Sequence, residues 1–98
     1  MFPAPSPEEE AREDEKYWEL YGFVIASEYR RKVLHSLHHD EKTPGQIAKE
    51  TSLYPSHVSS ALAELIRKEL VVCKNPRLRK GKVFGLTDFG SDLADKIE

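Results

Sequence analysis

A single cysteine among 98 residues rules out an intrachain disulfide. No apolar run approaches the length of a membrane span, and the first residues lack the pattern of a secretory signal. These absences point to a soluble protein of a reducing compartment, so we expect the cytoplasm and no membrane partner. Catalytic patterns are missing as well. The chain shows no nucleophile-base-acid set, no phosphate-binding glycine loop and no paired carboxylates. A hydrophobic share of 39% supports one small core and leaves little to wall a buried pocket. We therefore expect neither an enzyme nor a cofactor.

Two residue types could still suggest special chemistry. Cys73 follows Leu70, Val71 and Val72, and in such company a cysteine is a small buried hydrophobe before it is a thiol sensor. His35, His38 and His39 fall within one helical turn beside Asp40. Zinc needs three or four converging ligands, and no Cys-x-x-Cys or matched histidine pair completes the set. We read the cluster as a solvated helix end, where the dipole favours cations, and expect no metal.

Charge is unevenly spread. The formal net charge is -2, yet residues 1–20 hold seven acids against Arg12 and Lys16, and the tail from Asp88 holds four acids against Lys96. Between them, residues 21–87 carry twelve basic and six acidic groups. A near-neutral total thus conceals a cationic middle between two anionic ends.

Within that middle the local signals are sharp. Thr43 caps a helix that starts at Pro44, and Gln46, three residues after the cap, completes a capping box. Ser52-Leu53-Tyr54-Pro55 stops it, because the residue before proline is pushed out of helical dihedrals. A second helix runs from Pro55 to Lys68, with Val58, Ala61, Leu62, Leu65 and Ile66 spaced as one buried stripe. Ser56, His57, Ser59, Ser60, Ala63, Glu64 and Arg67 are left facing outward or to the flanks. Two strand-like runs follow, Leu70 to Cys73 and Val83 to Thr87. Between them Lys74, Arg77, Arg79, Lys80 and Lys82 surround the turn residues Asn75, Pro76 and Gly81, with no acid among them. Thr87 caps a last helix whose inward positions are Phe89, Leu93, Ala94 and Ile97.

Upstream, Ser6-Pro7-Glu8-Glu9 is a capping signature for a helix from about Pro7 to Tyr21. Its acidic half has little to bury, whereas Tyr17, Trp18, Tyr21 and Phe23 concentrate the aromatic mass. Such rings either cap the core or form a homodimer contact, and we expect the contact. Failing that, the dimer surface would be the last helix, through Phe89, Leu93 and Ile97. Ser27 should cap the first helix of the domain proper, with Tyr29, Val33, Leu34 and Leu37 facing in and Arg30, Arg31 and Lys32 mostly out. The expected organisation is an acidic arm over residues 1–22 and a domain over 23–98.

Helix, turn, helix and basic hairpin in succession define an α+β winged helix-turn-helix: a three-helix core, a two-stranded wing, and added N- and C-terminal helices. The runs ASEYRRKVLHSL, TPGQIAKET, PSHVSSALAELIRKELV and KGKVFGLTDFG together resemble small winged-helix transcriptional regulators of the MarR and ArsR kind, in particular compact archaeal ones. The resemblance covers roughly residues 25 to 95 and implies a paired, DNA-binding regulator. One position departs: where the family often has glycine before Leu70, this chain has Glu69. That corner must close differently or with strain.

The expected partner is double-stranded DNA. Ser56, His57, Ser59 and Ser60 would meet base edges in the major groove, assisted by Thr43, Gln46 and Arg67, while Lys74, Arg77, Arg79, Lys80 and Lys82 reach the backbone or minor groove. The alternative is a winged-helix module that binds protein within a transcription, replication or chromosome-maintenance assembly.

Overall fold

In the computed structural model, which describes residues 7–97 and the side chains from Glu15 onward, local capping chemistry sets most element boundaries. The order is α1 (Pro7–Ile25), α2 (Glu28–Ser36), α3 (Pro44–Thr51), α4 (Pro55–Arg67), β1 (Val71–Cys73), β2 (Phe84–Leu86) and α5 (Asp88–Ile97). The expected cap at Ser6 and the side chains from Glu8 to Asp14 lie outside the described residues. α1 runs one turn beyond Tyr21, because Leu20 and Val24 fall on one face and are both buried. Ser27 then takes extended dihedrals and its hydroxyl accepts the Arg30 amide at 3.4 Å, starting α2. At α3 the capping box is complete: the Thr43 hydroxyl accepts the Gln46 amide at 3.2 Å, and Gln46 Oε1 accepts the Thr43 amide at 2.9 Å.

The core is one cluster in which Val33, Leu34 and Leu37 of α2 meet Ile47 of α3 and Val58, Ala61, Leu62 and Leu65 of α4. Leu20 and Val24 of α1, Leu70 and Val71 at β1, and Leu93 and Ala94 of α5 complete it. Each fully buried Leu, Ile or Val stabilises the fold by about 1.5–3 kcal/mol through removal from water. Three residues expected inside are half out: Tyr29 at 41%, Ile66 at 38% and Phe89 at 37% exposure. Each sits at the edge of its helical stripe, where neighbouring elements cover it only in part.

β1 and β2 pair antiparallel, with Val71 opposite Leu86 and Cys73 opposite Phe84. A further bridge joins Lys42 to Phe84, their amides and carbonyls bonding both ways at 2.8 and 3.0 Å. This pairing ties the α2–α3 linker to the wing. Lys42 also donates through Nζ to the carbonyl of Ser36 and pairs with Glu50, whose carboxylate accepts from the buried Ser36 hydroxyl at 3.2 Å. The Lys42 ammonium holds the Glu50 carboxyl below its usual range, with the Ser36 hydroxyl adding to the effect.

At the corner after α4, Glu69 takes the left-handed conformation at φ 59. The Leu70 amide donates to Leu65 O at 3.0 Å and the Glu69 amide to Ile66 O at 2.9 Å, which together satisfy the last carbonyls of α4. So the corner closes as a glycine would close it, with strain. Thr87 braces it: its hydroxyl donates to Glu69 O at 2.7 Å and accepts the Gly90 amide at 3.0 Å. A Cβ on Gly90 would lie 2.0 Å from Leu70 O, so only glycine lets α5 seat this closely.

Candidate nucleic-acid interface

The N-terminal end of α4 is where small polar groups meet solvent. Tyr54 occupies the cap with extended dihedrals and no side-chain bond, and its carbonyl accepts the amides of His57 and Val58 at 3.0 and 3.1 Å. Val58 turns into the core at 0% exposure, which places Ser56, Ser59 and Ser60 outward. These three are exposed and His57 is half-buried. Short hydroxyl side chains let a helix approach base edges and phosphates closely, and a helix N-terminus itself favours anions. Thr43 and Gln46 stand at the start of α3, but each already spends a side-chain oxygen on the capping box. Arg67 is not part of this end. It lies ten residues beyond His57, about 15 Å along the helix axis, in an open groove of about 350 Å³ shared with Lys16, Leu20, Phe23, Lys68 and Glu69.

The wing presents Lys74, Arg77, Arg79, Lys80 and Lys82, all exposed, with no acid between 74 and 82. Its shape depends on Asn75. Asn75 Oδ1 accepts the Val83 amide at 2.7 Å, and its Nδ2 donates to the Gly81 carbonyl at 3.1 Å, closing the loop from inside. Gly81 supplies the positive φ of 71° that the turn needs. Below the tip, the Lys74 stem lies over Gly85, where a Cβ would meet Lys74 Cε at 2.7 Å and Glu41 Cγ at 3.3 Å. The sequence marked Asn75 only as a turn residue. The Asn-Pro pair signals a turn, but nothing local tells that Asn75 bonds to residues six and eight positions on.

Arg30 is also not the surface cation its neighbours suggest. It pairs with Glu64 of α4, donates to the Phe23 carbonyl at 2.9 Å and stacks over the Phe23 ring at 3.9 Å, so it joins α1, α2 and α4. His38 departs from a solvated helix end: its side chain is 5% exposed, pairs with Asp95 of α5 and stacks on His39. Among the described residues, no three His, Cys, Asp or Glu side chains converge on a point where a metal ion could sit. Cys73 is half-buried, with Sγ 3.7 Å from Asn75 Oδ1.

A second surface joins α1 and α5. Phe89 meets Tyr17 edge-on at 6.1 Å, Tyr17 meets Trp18 at 5.4 Å, and Trp18 meets Tyr21 at 5.5 Å. Trp18 is 63% exposed, although it is the largest apolar side chain of the chain. The Tyr17 hydroxyl is buried without a partner among the described residues, and loss of water, then the nearby Asp92, raises its pKa. Leu93 corrects the sequence-based expectation for this surface. It is fully buried in the chain's own core and offers nothing to a partner, whereas Ile97 is half-buried.

No protein-family model matches the chain, and no curated protein matches it in sequence. Solved structures do. Reduced HlyU from Vibrio cholerae matches at 25% identity and a TM-score of 0.69, over 90% of this chain and 88% of that one. The homodimeric winged helix-turn-helix DNA-binding domain of Mb0332 from Mycobacterium bovis, a possible ArsR-family transcriptional regulator, matches at 22% identity and a TM-score of 0.64, over 98% and 83%. ZitR from Lactococcus lactis, solved in complex with DNA, matches at 23% identity and a TM-score of 0.62 over 70% of this chain. The chain spans about half the length of ZitR, covering 48% of it. Element order, wing register and these superpositions agree: the chain folds as a winged helix-turn-helix domain.

Proposed function

We propose that this protein is a cytoplasmic, non-enzymatic transcriptional regulator that binds double-stranded DNA as a homodimer. In this scheme α4 enters the major groove with Ser56, His57, Ser59 and Ser60, and the wing lays Lys74, Arg77, Arg79, Lys80 and Lys82 on the backbone or minor groove. One observation carries it: an exposed, small-residue helix end is followed in the same fold by an acid-free cationic loop locked by Asn75. That pairing of a groove-sized helix with a phosphate-seeking hairpin suits a duplex. The DNA complex of ZitR and the homodimeric Mb0332 domain support it by likeness of fold. For the dimer we propose the Trp18 row of α1 with Phe89 and Ile97 of α5, so that residues 1–22 act as a pairing arm on a domain over 23–98.

The test is a salt titration with random duplex DNA. Replacing Arg77, Arg79, Lys80 and Lys82 by alanine should weaken binding to all sequences alike, and should flatten the log-log salt dependence by about 0.9 for each phosphate that is no longer neutralised. An unchanged slope would remove the wing from the interface.

A further inference from the structure

Tyr29 breaks from the inward stripe of α2 and is 41% exposed. Its ring instead lies flat on the imidazole of His57, with centroids 4.3 Å apart and planes 14° from parallel. Tyr54, 74% exposed at the cap of α4, meets the same imidazole at 5.7 Å with ring planes 73° apart. An imidazole stacked on a neighbouring ring has its plane fixed, and with it the direction in which its edge points. The ring nitrogens of His57 make no hydrogen bond among the described residues. The edge carries one donor and one acceptor when neutral, and two donors when protonated. Tyr29 is itself held in place, because its neighbour Arg30 pairs with Glu64 of α4 and donates to the Phe23 carbonyl.

We propose that Tyr29 is a positioning residue for base reading. By stacking on His57 it aims the imidazole edge at the adjacent N7 and O6 acceptors that guanine shows in the major groove. A donor on that edge finds an acceptor there in either charge state of the ring. Without the stack, His57 would sample several rotamers in the free protein and give up that freedom on binding. Because Tyr29 comes from α2, the ring is oriented against the whole domain and not by α4 alone. This inference rests on the proposal that α4 enters the groove.

The test is selection of bound sequences from a random duplex library by the wild type, His57→Ala, Tyr29→Ala and Tyr29→Phe, with thermal melts to confirm folding. The wild type should select a motif containing a guanine that His57→Ala no longer selects. Tyr29→Ala should lose preference at that same base pair, each loss being about tenfold, and the double variant should lose no more than either single one. Tyr29→Phe keeps the ring and should keep the preference, while affinity for random duplex stays unchanged in the two Tyr29 variants. A Tyr29→Ala protein that retains the guanine preference, or loses preference at a different base pair, overturns the positioning role. So does a Tyr29→Phe protein that behaves like Tyr29→Ala. A wild type that binds no duplex at all would overturn the DNA-binding proposal itself.

Discussion

Glu69 sits where a side chain is a disadvantage. Its left-handed backbone at φ 59 costs a non-glycine residue about 1–2 kcal/mol, and the hydrogen bond from Thr87 to its carbonyl offsets part of that cost. Glu69→Gly should therefore raise stability by about 0.5–1 kcal/mol, after allowing for the extra freedom of glycine in the unfolded chain. Thermal unfolding would show a rise of a few degrees; a fall would mean that the Glu69 side chain, beside Lys16 and Lys68, contributes more than the strain costs. Glu50 gives a prediction in pH. Its folded carboxyl titrates below the usual glutamate range because of Lys42, so the ion pair stabilises the fold fully above that range. The contribution is lost as pH falls through the usual glutamate range and below it. Glu50→Gln should accordingly be less stable than wild type at neutral pH, with the gap closing in acid. A gap that stays constant with pH would assign the loss to packing and not to charge.

Among the elements, α3 and α4 were legible in the sequence because their signals are local: Thr43 to Gln46 spans three residues, and Pro55 opens a stripe that repeats every three or four. What was not legible depends on partners distant along the chain. Lys42 pairs with Phe84, Arg30 with Glu64 thirty-four positions away, and His38 with Asp95 fifty-seven away. Periodicity carries no trace of such pairings, and this is why Arg30 and His38 read as surface charge. The wing lies between these cases. Its cations and turn residues stood out, but the bonds from Asn75 to Gly81 and Val83 did not. Asn75→Ala should leave the global melting temperature nearly unchanged, because the loop lies outside the core. It should speed hydrogen exchange at the Val83 amide and weaken DNA binding by loosening the cationic tip. Unchanged exchange at Val83 would show that the hairpin holds its shape without Asn75.

The chain as a whole is segregated by charge and by ring. Acids gather at both ends, cations in the middle, and aromatics in a row along α1 that continues onto α5. Among the described residues that row leaves apolar surface uncovered, so Trp18→Ala should shift the protein toward monomer in sedimentation and lower its affinity for a selected duplex. A variant that stays dimeric would move the interface away from Trp18. If the protomers pair through α1 and α5, the corner bonded by Thr87 acquires a metric role. Thr87 joins Glu69 at the end of α4 to Gly90 at the start of α5, and Gly90 lets the two approach without a gap. The pairing helix and the reading helix then turn as one rigid piece. If α4 reads DNA as proposed, the span between its two copies would have to match successive turns of one DNA groove, about 34–36 Å. The spacing of the two halves of the target would thus be set by one hydroxyl and one missing methyl group at this corner.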